Sequence, residues 1–255
     1  MTNQDILTIA LQQSAYDCNC RPDDFLSTEN KVVLSKANEQ ARAYLPLPFE
    51  FDLVSYGNNI VAQVSERMKE TAQWYIGKYD MAHCFESPNI IALNEKLDAF
   101  GYAVCFMAEY FLPDMNQLKT LPCAYEMRVL YPADFAQYYT AQWSNALSAS
   151  RKHLDVLAVG AFDHGKLIGL AGCSADCEMM YQIGVDVLPD YRRKGIASAL
   201  TSKLAMEIIA RGKVPFYCAA WSNIKSVRNA IKSGFRPAWV ELTARSKAFV
   251  DEMNK

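Results

Sequence analysis

The second half of the chain alternates between apolar runs with strand spacing and apolar runs with helix spacing. Apolar, β-branched runs predict strands over residues 125–130, 155–162, 166–172, 179–187, 214–221 and 235–242. Apolar residues recur every four positions at Ile196, Leu200, Leu204 and Ile208, which predicts a helix over residues 195–209. Further helices are predicted over residues 132–147 and 222–231. This order predicts a mixed α/β (α+β) fold.

The first half of the chain gives a weaker pattern. It predicts helices over residues 6–16, 65–76 and 90–100, and strands over residues 49–56, 60–64 and 102–110. In the first half, a predicted helix is followed by Gly101-Tyr102 and a strand, and in the second half a predicted helix is followed by Gly234-Phe235 and a strand. One interpretation is therefore that the first half is a degenerate second copy of the fold of the second half. Residues 112–122 read as a linker. We therefore expect a smaller N-terminal α+β domain at 1–120 and a second domain at 123–255.

Composition narrows the class of protein. The chain has 255 residues, of which 51% are hydrophobic and 21% are charged, so it fits one large or two small globular domains. The absence of a long apolar run and of a signal-peptide pattern favours a cytoplasmic protein without a membrane partner. The spacing of Cys18 and Cys20, and of Cys173 and Cys177, does not match a zinc site, so no metal is expected. Cys105, Cys123 and Cys218 lie in apolar segments and are predicted to be buried thiols.

The net charge of −2 is distributed unevenly. Residues 191–236 carry a formal charge of +9, whereas the first ninety residues carry −5. A local positive field suits a small polyanionic ligand. Nucleic acid is not expected, because the basic residues lack the aromatic platform of single-strand binders.

A basic turn lies within the positive segment. The apolar strand ends near Pro189, and Arg192-x-x-Gly195-x-Ala197 then leads directly into the predicted helix. Backbone N–H groups at such a turn, together with the positive end of the helix dipole, can bind phosphate. A Walker loop is excluded because no Gly-Lys-Ser/Thr follows, and the dinucleotide fingerprint is absent. The alternative is an ordinary strand–turn–helix connection.

These residues resemble a known family. The turn is similar to the Gln/Arg-x-x-Gly-x-Gly/Ala signature of the GCN5-related N-acetyltransferase (GNAT) superfamily. A downstream block, which contains Asn223, Ser226, Asn229, Ala230 and the Gly234-Phe235 pair, is similar to a second family motif. The resemblance covers roughly residues 123–243. It implies a mixed, mostly antiparallel acetyltransferase-type sheet flanked by helices, with acetyl-CoA as co-substrate.

The resemblance also implies which residues bind acetyl-CoA. The strand before the turn should diverge from its neighbour and offer backbone groups to the pantetheine arm and acetyl carbonyl, and an N–H near Val187 should serve as oxyanion donor. Asn223 and Ser226 should bind the pantetheine arm, although helix capping is an alternative for both. The remaining cofactor-binding residues lie on the strand and the turn: Val185, Asp186, Arg192, Arg193, Lys194, Gly195, Ile196, Ala197 and Ser198.

The catalytic residues are less clearly marked. Many family members carry a Tyr as general acid where this chain has Ala230, so that acid is missing. Glu178 is the first candidate for the general base and Asp176 the second, with ordinary surface carboxylates as the alternative. Tyr217 is the candidate for a substitute acid. Water or an already deprotonated substrate can also fill these roles.

The sequence therefore predicts an N-acetyltransferase that moves an acetyl group from acetyl-CoA to a primary amine of a small molecule, by direct transfer in a ternary complex. The alternative is a non-catalytic module that binds and senses acyl-CoA. A third interpretation is a structural protein in which the turn no longer binds a cofactor. The sequence allows a homodimer.

Overall fold

The computed structural model describes all residues from 1 to 255. Its α-helices are α1 Asn3–Cys18, α2 Lys69–Lys78, α3 Ser87–Asp98, α4 Pro132–Phe135, α5 Ile196–Ala210, α6 Ile224–Lys232 and α7 Lys247–Met253. Its strands are β1 Lys31–Leu34, β2 Phe51–Ser55, β3 Val61–Val64, β4 Tyr102–Pro113, β5 Glu126–Leu130, β6 Asp155–Asp163, β7 Lys166–Ser174, β8 Met180–Val187, β9 Val214–Ala220 and β10 Phe235–Ser246. None of these helices combines the length and apolar character that a membrane span requires.

The chain folds into two compact units that are interleaved in sequence. The first unit contains residues 1–9 and 111–237, and the second contains residues 10–110 and 238–255. The units therefore do not follow the single division near residue 120 that the linker pattern suggested. The reason is that β4 and β10 each have residues in both units, so that no single cut in the sequence separates them.

In the first unit, hydrogen-bonded strands follow the order β4-β9-β8-β7-β6-β5. The pairs β5–β6, β6–β7 and β7–β8 are antiparallel, whereas β8–β9 is parallel. Helix α5 packs against β6, β7 and β8. Its apolar stripe of Ile196, Leu200, Leu204 and Ile208 is buried, as the spacing predicted. The predicted fold class, with a mixed and mostly antiparallel sheet flanked by helices, is confirmed.

A second core in this unit contains residues that precede β6. Trp143, Ala146 and Leu147 are buried there together with Phe135 and Leu170. The predicted helix over residues 132–147 is wrong, because only α4 is helical and short 3₁₀ turns follow at Ala136–Tyr138 and Ala141–Trp143. Tertiary contacts of Asn145 and Ala146 with β7 and β8 override the local helix propensity.

In the second unit, the strand order is β1-β3-β2-β10-β4. β2 pairs antiparallel with both β3 and β10, and β1 pairs parallel with β3. The sequence predicted most of these elements but missed β1 and α7, which are short. A buried ion cluster, consisting of Asp17, Arg42, Asp52, Gln63 and Glu241, lies within this unit.

All eight cysteines are free thiols. Cys105, Cys123 and Cys218 were predicted to be buried but are only partly buried, because they lie on β4, on the connection before β5 and near the end of β9 rather than within the main cores.

Candidate functional site

The basic turn connects β8 to α5 through a sharp change of backbone direction. A 3₁₀ turn spans Pro189–Tyr191, and Arg193 and Gly195 then adopt left-handed φ angles of 64° and 80°. Gly195 is the N-cap residue of α5, and a glycine has no side chain to cap the first helical N–H groups. The amides of Ile196, Ala197 and Ser198 therefore remain without a side-chain cap at the positive end of a 15-residue helix.

The space above Gly195 is open. A Cβ atom built on Gly195 would have only one neighbour within 4 Å, the Nζ atom of Lys232, at 3.9 Å. Lys232 lies in the last turn of α6, so a second helix adds a cation to the turn. The arrangement of uncapped amides, open space and positive charge is that of an anion-binding site.

The three cations of the turn itself point in different directions. Arg192 donates from Nε to the carbonyl oxygen of Val187 at 3.0 Å, which ties the turn to the end of β8. Lys194 lies 4.9 Å from the centre of the Tyr191 ring. Arg193 is exposed and makes no hydrogen bond or ion pair with another residue, so its guanidinium group is available to a ligand.

The strands β8 and β9 separate immediately before this turn. Their parallel pairing begins at Met180 and Val214 and ends at Gln182 and Phe216, so residues 183–187 and 217–220 are not paired with each other. The family resemblance predicted such a divergence. β8 therefore has an unpaired edge over its C-terminal residues, and the chain continues from that end of the strand into the basic turn.

The edge of β8 that faces this opening carries free backbone groups. Leu188 donates its N–H to the carbonyl oxygen of Ile168, which lies within β7. Because successive residues direct their N–H groups to opposite edges of a strand, Val187 and Val185 direct theirs away from β7. The N–H of Val187 therefore points to the side of β8 that faces the opening, and its role as oxyanion donor stays a prediction.

The Asp186 side chain has a role that the sequence did not indicate. Its Oδ2 atom accepts the backbone N–H groups of Asn145 at 2.9 Å and Ala146 at 3.0 Å, and Oδ1 accepts the Asn145 side-chain amide at 2.6 Å. Cβ atoms at Gly184 and Gly172 would overlap the carbonyl oxygens of Asn145 and Ala146. Asp186 and the two glycines thereby hold residues 145–146 against β7 and β8.

Asn223 caps α6, the alternative that the sequence left open. Its Oδ1 atom accepts the backbone N–H of Ser226 at 3.2 Å, and its side-chain nitrogen makes no hydrogen bond within the protein. Capping therefore leaves the Nδ2 donor of this exposed residue available to a ligand.

Tyr217 lies where the two strands begin to diverge, directly after Phe216. Its hydroxyl group is 2.7 Å from the Oγ atom of Ser226, and burial raises the pKa of the phenol. Ala230, at the position of the usual family Tyr, is fully buried and offers no proton. Among the three catalytic candidates, Tyr217 is the one beside the opening.

The other two candidates precede β8. Asp176 is buried and forms an ion pair with Arg151, whereas Glu178 is exposed in the bend before the strand. At about 3.3 Å per residue, Glu178 lies up to roughly 16 Å along the chain from Ile183, where the opening begins. The structure does not bring these carboxylates together with Tyr217.

Sequence reasoning did not single out Lys232 or the Asp186 side chain as functional. Lys232 belongs to the downstream motif and to the positive segment, so its charge was the available signal. The role of Asp186 depends on Asn145, which is distant in sequence, and no local signal reveals it.

Comparison with known proteins agrees with the geometry. The sequence model of the acetyltransferase (GNAT) family matches residues 120–235, and this part of the chain belongs to that family. No curated protein matches the chain.

Solved structures similar to this chain include several from the same family. A putative GNAT acetyltransferase from Novosphingobium aromaticivorans is 23% identical with a TM-score of 0.45, over 56% of this chain and 66% of that one. A GCN5-related N-acetyltransferase-like protein from Streptococcus suis is 21% identical with a TM-score of 0.45, over 62% and 69%. A tandem GNAT protein from the clavulanic acid biosynthesis pathway is 17% identical with a TM-score of 0.42, over 64% and 59%.

Proposed function

We propose that this protein is an N-acetyltransferase that uses acetyl-CoA as co-substrate. The observation that carries the proposal is the position of the diverging strands: β8 and β9 separate after Gln182 and Phe216, and β8 leads directly into the uncapped turn at Gly195. An extended molecule with a pyrophosphate at one end and a thioester at the other suits both features. Family membership of residues 120–235 supports acyl transfer as the reaction class.

Residues of the turn would hold the pyrophosphate. The backbone amides from Arg193 to Ser198 supply the donors, and the side chains of Arg193 and Lys232 supply positive charge. Gly195 keeps the backbone accessible, since nothing within 4 Å except Lys232 would meet a side chain there. The free Nδ2 atom of Asn223 provides a donor for the pantetheine arm.

The chemistry assigned to this chain is direct transfer of the acetyl group to a primary amine in a ternary complex. The N–H of Val187 stabilises negative charge on the thioester carbonyl oxygen as the amine attacks. Glu178 and Asp176, the two bases that the sequence suggested, are not assigned this role, because Glu178 lies five residues before the opening and Asp176 is buried in an ion pair. The proton of the amine instead passes to water, or the substrate arrives already deprotonated.

The remaining parts of the proposal concern the acceptor, the cellular location and the assembly. We infer a small-molecule amine as acceptor, a cytoplasmic location and a homodimer as the assembly to test. The competing function is a non-catalytic acyl-CoA-binding module, which is favoured by the absence of a Tyr at Ala230.

A thiol-release assay separates the two functions. Purified protein is mixed with acetyl-CoA and a library of primary amines, and free CoA thiol is measured over time. The enzyme proposal predicts that at least one amine accelerates thiol release, and that Gly195→Glu abolishes the acceleration. Tight binding of acetyl-CoA, with no amine that accelerates thiol release, would instead establish the binding module.

A further inference from the structure

The side chains of β8 and β9 divide between two faces of the sheet at the opening. Ile183 on β8 and Tyr217 on β9 belong to the apolar core that contains α5, so they lie on the face that α5 covers. Because side chains alternate along a strand, Gln182 and Cys218 lie on the opposite face. The hydrogen bond from Nε2 of Gln182 to Sγ of Cys218, 3.0 Å long, agrees with this division. The opening therefore presents different side chains on its two faces.

The side-chain amide of Gln182 crosses the point where the two strands separate. Gln182 is the last residue of β8 that pairs with β9, and its partner there is Phe216. Cys218 lies two residues further along β9, in the unpaired part, so the hydrogen bond between Gln182 and Cys218 spans the start of the opening. Gln182 is half-buried, and its Oε1 atom makes no hydrogen bond within the protein. An amide oxygen beside the opening is thus available to a donor.

The adjoining part of the same face is closed by segment 145–146. Two carbonyl oxygens of this segment lie where Cβ atoms of Gly184 and Gly172 would stand. The carboxylate of Asp186 accepts the backbone N–H groups of the same segment. Of the two polar side chains of β8 on this face, Asp186 is therefore engaged by the protein, whereas Gln182 retains an oxygen that accepts no hydrogen bond from it.

The donor and the acceptor amine require different faces of the opening. In the proposed function, the pyrophosphate lies at the uncapped amides of α5 and the pantetheine arm lies near Asn223, the N-cap residue of α6. Helix α6 adjoins the same face as α5, because its Ser226 is 2.7 Å from the hydroxyl of Tyr217. A donor held by both helices occupies that face. An amine that attacks the thioester in a ternary complex therefore approaches from the face that carries Gln182.

We propose that Gln182 binds the acceptor, and that its side-chain oxygen accepts a hydrogen bond from the N–H of an uncharged primary amine on the face of the sheet opposite α5. This inference rests on the proposed function, since it requires the donor thioester in the opening. The hydrogen bond orients the amine so that the lone pair on nitrogen is directed toward the thioester carbon.

The reaction balances without a further group. The amine nitrogen forms the new C–N bond as the C–S bond breaks, and the bonding electron pair stays on sulfur. One proton of the amine passes to water, and the thiolate takes a proton from solvent on release. The amide of Gln182 is neutral at ordinary pH, so its oxygen accepts a hydrogen bond throughout and gains no proton.

The test separates the kinetics of the acceptor from those of the donor. Intact protein is assayed by thiol release with acetyl-CoA and the library of primary amines, and KM is measured for each substrate in turn. Gln182→Leu removes the oxygen but keeps a side chain of similar size. It should raise KM for the amine about three- to tenfold, the effect of losing one neutral hydrogen bond, and leave KM for acetyl-CoA unchanged.

Gln182→Glu is the conservative variant, because it keeps an oxygen at the same position. It should keep KM for the amine near the wild-type value. Its carboxylate can also take a proton from the amine, so kcat/KM for the amine should fall less steeply as the pH is lowered than it does in the wild type. This pH profile is a readout that a merely structural role of Gln182 would not change.

Gln117→Leu is the matched control. Gln117 is an exposed glutamine in the turn after β4 and makes no side-chain hydrogen bond. The same substitution there should leave both KM values unchanged.

The possible outcomes distinguish the two proposals. If Gln182→Leu raises both KM values equally, or raises neither, the role of Gln182 is overturned and the proposed function stands, since the wild type still transfers the acetyl group. If Gln182→Leu does not fold, an unchanged pH profile in Gln182→Glu overturns the role instead. If no amine accelerates thiol release by the wild type, both proposals are overturned.

Discussion

The amino group of Lys232 lies 3.9 Å from the point that a Cβ of Gly195 would occupy, so the last turn of α6 brings a cation to the first turn of α5. We predict that Lys232→Ala weakens acetyl-CoA binding by about two- to fivefold at low salt, since an exposed charge contributes less than about 1 kcal/mol. Isothermal titration calorimetry at two salt concentrations measures this, and the difference should shrink at high salt because ions screen exposed charges.

Lys225→Ala is a suitable control, because Lys225 is exposed near the other end of α6. An equal loss of affinity in both variants would show a general effect of charge and would contradict a local contact at the turn.

The carboxylate of Asp186 is predicted to stabilise the segment that contains Asn145 and Ala146. Asp186→Asn would place an amide where backbone N–H groups now donate, and loss of these charged hydrogen bonds should cost about 2 to 4 kcal/mol. We expect Tm to fall by about 5 to 10 °C in differential scanning calorimetry. Asp190→Asn, at an exposed carboxylate in the following turn that makes no hydrogen bond, should change Tm little, and a similar fall in both would refute this assignment.

Arg42 is predicted to be essential for the second unit. Its guanidinium group bridges Asp17 at 2.6 Å and Glu241 at 2.7 Å, and all three side chains are buried. Arg42→Met would leave the two acids without this shared partner, which should lower the free energy of unfolding by about 3 to 5 kcal/mol.

Arg67→Met provides the comparison, because Arg67 forms a half-exposed ion pair with Glu50 at 2.9 Å. Its loss should cost less than about 1 kcal/mol. Urea unfolding curves of both variants measure the difference, and equal effects would contradict the importance of burial.

Asp52 should make stability depend on pH. Its pKa is raised from 3.8 to about 7, mainly by burial and next by the nearby Glu241, against the hydrogen bonds from Thr243 and Gln63, which lower it. The folded protein therefore binds a proton that the unfolded chain releases above pH 3.8. The stabilising contribution of this proton is complete below about pH 4 and is lost as the pH rises through about 7.

Asp52→Asn removes this dependence while keeping a neutral side chain of the same shape. The difference in unfolding free energy between wild type and variant should change by up to about 4 kcal/mol between pH 4 and pH 8, with the wild type losing more as the pH rises. Parallel curves for the two proteins over this range would show that Asp52 does not titrate as described.

The sequence predicted those parts of the molecule that depend on neighbouring residues. The strand β8, the turn at Gly195 and the helix α5 follow one another directly, and the apolar stripe from Ile196 to Ile208 specifies the buried face. The family motif covers the same residues, so the pattern of amino acids is enough to locate the basic turn.

The parts that the sequence did not predict depend on distant residues. Residues 136–147 contain no glycine or proline to stop a helix, yet the carboxylate of Asp186 binds the backbone N–H groups of Asn145 and Ala146. Val240 pairs with Ser55 across most of the chain, so the interleaving of the two units has no local signature. The hydrogen bonds between Tyr217 and Ser226 and between Asn229 and Thr201 likewise join separate elements.

The central claim is that the turn at Gly195 binds the pyrophosphate of acetyl-CoA, and two glycines at opposite ends of α5 allow a matched test. Gly195 and Gly212 have similar left-handed φ angles of 80° and 74°, so a side chain introduces comparable backbone strain at both positions. Calorimetric titration with acetyl-CoA should show that Gly195→Glu abolishes binding, whereas Gly212→Glu binds like the wild type. Unchanged affinity in a folded Gly195→Glu variant would contradict the account.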